Sequence, residues 1–448
     1  MRTNAELAAE ALRIFRAGLA AVDPHRAVTR ALAREADHLR LVDDAGEATS
    51  IDLGRFERVL VVGAGKATAR MCQAVEELLG DHLTEGVAIV KDGHRAPTQT
   101  IRLYEAAHPV PDGRGLEAAR SMVELVDGAD ELTLVIALLS GGGSALLTLP
   151  ADGLSLDDKR AVTDALLAAG ADIGEINSVR KHLSAVKGGR LAARAEDATW
   201  LTLMLSDVIG DRPDVIASGP TVGDGSTFAD ACRVLDRYDL WGSLPPPVVE
   251  HLNRGVRGEV PETPKPDRAL FARSSQRVVG SNRLALAACE RAARAGGWHT
   301  TVLSSTIEGE TREVGRARGA MAREILATAS PVARPACVIS GGETTVTLRS
   351  SGRGGRNQEL ALSAALAFAG TDGVALLSAG TDGTDGPTDA AGAIAFGNTV
   401  RRARERGFEA ERHLERHDAY PLFDAIGDLV RTGPTGTNVM DVHLLLVS

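Results

Sequence analysis

Short, wholly apolar runs alternating with helical periodicity predict an α/β protein with mainly parallel sheets, because strands covered by helices on both faces lose their polar alternation. Glycine or a turn-forming pair closes nearly every such run, which places loops at the carboxyl ends of the strands, where open α/β sheets bind ligands. A proline-rich stretch divides the pattern into two halves. The length, 448 residues, is about three times the ~150 residues usual for one domain.

The elements follow in order. Ala8, Leu12, Phe15, Leu19 and Val22 form an apolar stripe of helical period at the amino terminus. The run RVLVV (58–62) ends at Gly63, and VAIV (87–90) is followed by Asp92-Gly93. LTLVIALL (132–139) ends at Ser140-Gly141, and TWLTLML (199–205) ends at Ser206-Asp207. Residues 242–268 hold Pro245, Pro246, Pro247, Pro261, Pro264 and Pro266 with little apolar patterning, and read as a surface segment or linker between domains 1–258 and 259–448. Beyond it, ACVI precedes Ser340-Gly341 and VALL precedes Ser378-Ala379-Gly380.

Composition narrows the function classes. Hydrophobic residues make up 44% and charged residues 25%, an ordinary globular balance. With 50 Lys+Arg against 60 Asp+Glu, the net charge of -10 argues against nucleic-acid binding. The longest apolar run, eight residues, is far below the roughly 20 that span a bilayer, and no signal-peptide block opens the chain. Cys72, Cys232, Cys289 and Cys337 are widely spaced and read as four buried thiols in a reducing cytosol, so a cytoplasmic location is expected.

The chemistry is expected in the glycine loops. Gly63-Ala64-Gly65-Lys66 links a strand to a helix running to about Leu79 and sets an ammonium at the helix start, suited to phosphate or carboxylate. It fails the dinucleotide fingerprint at Thr68, and it fails the Walker A pattern at Leu60 and Ala67. Ser140, Gly141, Gly142, Gly143 and Ser144 offer flexible backbone and two hydroxyls as an anion cradle. Asn177, Arg180, Lys181 and Lys187 add polar and positive groups on a following helix. Asp207 stands directly after a strand, where it could accept a hydroxyl proton or hold Mg²⁺. Arg353 and Arg356 lie among glycines before another helix, and Asp382 and Asp385 lie in a strand-end loop as further metal candidates. His413 and His417 miss the HExxH order and read as part of a solvated helix, while the lack of a G-x-S-x-G elbow argues against an α/β-hydrolase. This inventory suits phosphoryl transfer, which needs positioning and charge neutralisation more than a special nucleophile.

Taken together, GAGKA, LLSGGGSALL, INSVRKHLSAVKGGRLA, SDVIGDRPDVIASGPT, SGGETTVTL, GRGGRNQELAL and SAGTDGTDGPTDAAGA resemble the class II glycerate kinases, the MOFRL family, in order and along the whole chain. The resemblance implies a Rossmann-like amino-terminal domain, a carboxyl-terminal MOFRL domain and an active site in the cleft between them. It implies ATP-dependent phosphorylation of D-glycerate at the 2-hydroxyl, with a divalent metal, usually Mg²⁺. Lys66 matches the family's functional lysine, and Arg356, in preference to Arg353, its functional arginine. Expected partners are therefore D-glycerate and ATP, with no nucleic acid and no membrane; a homo-oligomer stays open. Two rivals follow: an NAD(P)H-dependent hydroxypyruvate reductase, a label carried by some relatives, and a non-catalytic sugar-acid sensor.

Overall fold

The computed structural model describes residues 2–42 and 48–448, which form two compact units, Pro24–Val279 and Met1–Asp23 with Gly280–Ser448. In the first unit, strands β1 (Leu32–Glu35), β2 (His38–Val42) and β3 (Ala48–Asp52) make a small antiparallel sheet. The main sheet holds β4 (Arg58–Ala64), β5 (Glu85–Lys91), β6 (Ile101–Ala106), β7 (Thr133–Ser140), β8 (Thr199–Leu205) and β9 (Ser274–Gly280) in the order β6-β5-β4-β7-β8-β9. The pairs from β6 through to β8 are parallel. Renumbered from β4, this is the 3-2-1-4-5-6 order of the Rossmann fold, whose crevice opens where the order reverses, between β4 and β7.

The apolar runs form strands because both faces are covered. Every residue of β7 is buried, and Leu60, Val62, Val87, Ile89, Val135 and Trp200 share one core with the helix Gly113–Asp127. A separate helical cluster packs Val162 and Leu166 of Leu156–Ala168 against Ile176, Val179 and Leu183, with Phe228, Val248 and Leu252. Residues 242–268 are part of this cluster rather than a linker. Pro246 and Pro247 occupy the first turn of the helix Pro246–Val256, where a missing N–H costs nothing, and the Pro264 carbonyl accepts from Asp224 N–H at 2.8 Å. The compact units change over at Val279 and Gly280, in the last strand of the sheet, which differs from the expected division after residue 258.

In the second unit, β10 (His299–Ile307), β11 (Ala336–Gly342), β12 (Val374–Gly380), β13 (Gly392–Phe396), β14 (Leu429–Val430) and β15 (Asp441–Val447) are ordered β10-β11-β15-β12-β13-β14. Only β10 and β11 pair in parallel; the other four pairs are antiparallel. The α/β class holds, but the mainly parallel expectation fails for this sheet. A continuous apolar run records burial on both faces and is silent on strand direction.

Helix Arg356–Ala367 contributes to the core on one face of this sheet. The other core joins Ile339, Leu377 and Leu444 to two helices, Asn282–Ala295 and the amino-terminal Asn4–Ala21. The opening helix therefore belongs to the carboxyl-terminal unit. Its buried row is Leu7, Ala11, Ile14, Phe15 and Gly18, and Ala8, Leu12 and Leu19 of the expected stripe pack half-buried against the same core; Gly18 lets Cys289 approach, and the Cys289 thiol points to the Ile14 carbonyl at 3.5 Å. Cys72, Cys289 and Cys337 are buried free thiols, whereas Cys232 is only half-buried. Among the described residues no helix is long and apolar enough to cross a membrane.

Candidate active site

At the switch point of the first unit, the loop after β4 is stitched to the end of β7. Lys66 N–H donates to the Gly141 carbonyl at 2.9 Å, and Ala67 N–H donates to the Ser140 hydroxyl at 3.1 Å. Thr68 Oγ1 and Ser140 Oγ lie 3.0 Å apart. Gly65, at φ +144°, is required by this closeness: a methyl there would overlap the Ser140 hydroxyl and lie 2.6 Å from its carbonyl oxygen. Gly65→Ala is accordingly expected to cost at least about 3 kcal/mol from overpacking plus backbone strain. A urea melt checks this, and a midpoint matching the parent would show that the two loops can separate freely.

The side chains then gather around loop 140–144. Lys66 is half-buried, and its Cγ lies 3.2 Å from where a methyl on Gly142 would sit; His108 Nε2 lies 3.1 Å from the same point. Burial, reinforced by the ammonium groups of Lys66 and Lys91, pushes His108 down to about 4, so its imidazole is neutral at pH 7. His94 Nδ1 is 3.0 Å from the Lys66 carbonyl oxygen. Asp207, half-buried after β8, sets its carboxylate against Gly141 so closely that any side chain there would collide with it. Ser144 Oγ is 2.8 Å from Ser218 Oγ, which in turn donates to Asn177 Oδ1 at 3.1 Å.

Helix Ile173–His182, capped by Asp172, carries Arg180 and Lys181, whereas Lys187 lies in the turn beyond its end rather than on the helix. Arg180 reaches the Ser144 carbonyl at 3.4 Å, and buried Lys187 donates to the carbonyls of Ser144 and Leu147 at 2.8 and 3.0 Å. Lys181 departs from its expected role. It is buried in an ion pair with Asp224 at 3.2 Å, with Asp214 at 3.7 Å, and so anchors the helix rather than facing a ligand. The Ser140 hydroxyl is likewise occupied by the backbone of the neighbouring loop.

The second unit has its own charged constellation. Arg356 opens its helix and forms a fork on Asp441, Nε to Oδ2 at 2.6 Å and Nη2 to Oδ1 at 3.1 Å, while Nη1 holds Glu343 at 2.7 Å. Asp385 accepts from the N–H groups of Asn357 and Gln358 at 3.0 and 2.9 Å, the usual station for an acid at a helix start. Burial nevertheless outweighs those amides and pushes it up to about 7. Arg353 lies exposed over the Tyr420 ring at 4.0 Å, and Asp382 caps its own turn through Thr384. His417 is buried rather than solvated, 2.9 Å from Glu359 and accepting from Arg349 N–H, so the His413/His417 pair is structural.

Known proteins can now be set beside this geometry. A profile described as a domain of unknown function, DUF4147, matches residues 10–253, and one described as the MOFRL family matches residues 336–441. The chain is 40% identical to glycerate 2-kinase of Pyrococcus horikoshii over 438 residues, covering 98% of this chain and 96% of the relative. The chain belongs to the MOFRL-type glycerate 2-kinase family. The crystal structure of glycerate kinase from Thermotoga maritima matches it with a TM-score of 0.87 at 40% identity, over 99% of this chain and all of that one. A putative hydroxypyruvate reductase of Agrobacterium vitis is 45% identical over 392 residues, 87% of each chain.

For a member of the glycerate 2-kinase family, the sequence motifs marked the glycine loops and the cations but missed His94, His108, Lys159 and Asp441. His108 sits just past the end of β6 and reads as part of a proline-rich turn. Its one available signal was position, since β6 ends at the same edge of the sheet as β4 and β7.

Proposed function

We propose that this chain transfers the γ-phosphoryl group of ATP to the 2-hydroxyl of D-glycerate, giving 2-phosphoglycerate and ADP. The observation that carries this reading is the way the switch point is built. The helix-start amides that a dinucleotide pyrophosphate would need are already taken, Lys66 by Gly141 and Ala67 by Ser140. What projects there is an ammonium beside a glycine loop, a cation for a phosphoryl group rather than a cradle for NAD(P). The same closure disfavours the hydroxypyruvate reductase reading.

In this mechanism Lys66 neutralises charge that builds on the transferring phosphoryl group. The 2-hydroxyl oxygen attacks the γ-phosphorus, its proton passes to His108 Nε2, and ADP departs. Mg²⁺ in kinases takes one or two carboxylates and completes its shell with phosphate and water oxygens. Among the described residues, no group of three or more His, Cys, Asp or Glu side chains could hold an ion unaided. Asp385 and Asp382 serve backbone amides in their own unit, whereas the half-buried strand-end carboxylate of Asp207 lies against Gly141 in the loop bonded to Lys66, and it is the fitting ligand. The ion, when bound, would supply charge neutralisation to the phosphates.

Incubation with ATP, Mg²⁺ and D-glycerate, followed by ³¹P spectroscopy that separates 2- from 3-phosphoglycerate, tests the reading. The 2-isomer is expected, and neither NADH nor NADPH should be oxidised by hydroxypyruvate; pyridine-nucleotide turnover without ATP would overturn it. The role of His108 makes a pH prediction. A base must be neutral to act, so kcat/KM should hold as pH falls through 6 and drop only towards about 4. His108→Gln should lose about 10²-fold in kcat and abolish that acid limb. An unchanged pH profile in the variant would remove His108 from the reaction.

A further inference from the structure

Lys159 lies on the helix Leu156–Ala168 at the head of an apolar row. Val162 and Leu166 follow it at i+3 and i+7 and pack into the helical core. A lysine heading that row is itself buried, 7% exposed, and its ammonium has no hydrogen-bond partner. Two more cations stand close enough to repel it, Arg180 and Lys187. Among the described residues none of the three has a carboxylate partner; Arg180 and Lys187 are met only by the carbonyls of loop 140–147. Burial, with Arg180 beside it, pushes Lys159 down to about 7, as expected for an ammonium with nothing to balance it.

The neighbouring Lys181 shows what this fold does when a buried lysine is purely structural. Asp224 pairs with it, and Ser226 and Thr263 donate to the same carboxylate. Lys159 has no such arrangement, yet it stands near Arg180 and Lys187, the two cations that hold the loop flanking Lys66. Buried ammonium groups without an acceptor are rare, because burial removes water without replacing its hydrogen bonds. An acceptor that arrives with the substrate resolves this.

We propose that Lys159 and Arg180 bind a substrate oxyanion beside loop 140–147, either the carboxylate of the hydroxy acid or a phosphate of the nucleotide. The proposal rests on the kinase reading and names two residues that hold its substrate. Two variants test it, Lys159→Met, which keeps length and removes charge, and Lys159→Arg, which keeps charge. Calorimetric titration with D-glycerate and, separately, with ATP reads the two sources of anion.

Lys159→Met is expected to melt no lower than the parent and to lose at least ten-fold in affinity for one ligand, with the other unchanged. Lys159→Arg should regain part of that loss. Loss confined to D-glycerate assigns the carboxylate, and loss confined to ATP assigns a phosphate. Equal affinities in folded Lys159→Met, or equal losses for both ligands with a lowered melting point, would overturn the proposal. If the parent bound D-glycerate but formed no phosphoglycerate, the kinase reading would fail, while selective loss of that binding in Lys159→Met would still support the anion site.

Discussion

Lys66→Ala is expected to lower kcat by about 10²–10³-fold while leaving the fold intact, the range seen when one preorganised charge-stabilising donor is removed from a transition state. The separation of effects follows from how Lys66 is held. Its backbone N–H, which bonds Gly141, survives the substitution, and so do the Ala67 and Thr68 contacts with Ser140 that lock β4 to β7. The side chain beyond Cβ is half-buried, so its loss should cost no more than about 0.5 kcal/mol of stability. Lys66→Arg should recover little, because a planar fork cannot replace a point charge on a flexible stem in a gap already lined by His108. Steady-state product formation beside a thermal melt checks both halves. A folded Lys66→Ala protein turning over at the parental rate would remove the lysine from the chemistry.

How far such a site can be read from sequence depends on whether a residue's neighbours in space are also its neighbours in the chain. The strands β4, β5, β7 and β8 were legible because helices cover both faces and leave uninterrupted apolar runs. The 140–144 loop was legible because consecutive glycines after a buried strand have few other uses. The allegiance of the opening helix was not, since an apolar stripe does not say which sheet it will meet, and Leu7 and Ile14 find theirs more than 300 residues onward. Nor was the direction of β15, whose DVHLLLV would read the same in a parallel sheet. Lys159 was hidden by its flanks: LDDKR looks like a solvated helix start, and only the Val162 and Leu166 spacing gives the lysine's face away. Asp441 carried no motif of its own, and its meaning comes from Arg356, 85 residues earlier in the chain.

That pair supports the second large effect, and it separates architecture from catalysis in the carboxyl-terminal unit. Asp441 is 1% exposed, so Arg356→Ala would leave a buried carboxylate without its counter-ion. Breaking a fully buried pair costs about 3–5 kcal/mol; because 34% of the Arg356 side chain reaches solvent, about 2–4 kcal/mol is expected here. Activity should disappear as well, but that loss alone would not show whether Arg356 meets the substrate or merely holds β15 and its own helix start together. The double variant Arg356→Met/Asp441→Leu decides. Replacing both partners by apolar groups of similar size removes the uncompensated charge, and such exchanges are often neutral or stabilising. The double variant should therefore regain most of the lost stability in a urea melt. If Arg356 acts on the substrate, as its place at the head of a glycine-flanked helix suggests, turnover in that refitted protein should stay at least about 10²-fold down, the effect of one missing transition-state donor. Recovery of activity together with stability would reduce the arginine to a clamp and move the search for the second cation to Arg180 and Lys187 in the other unit.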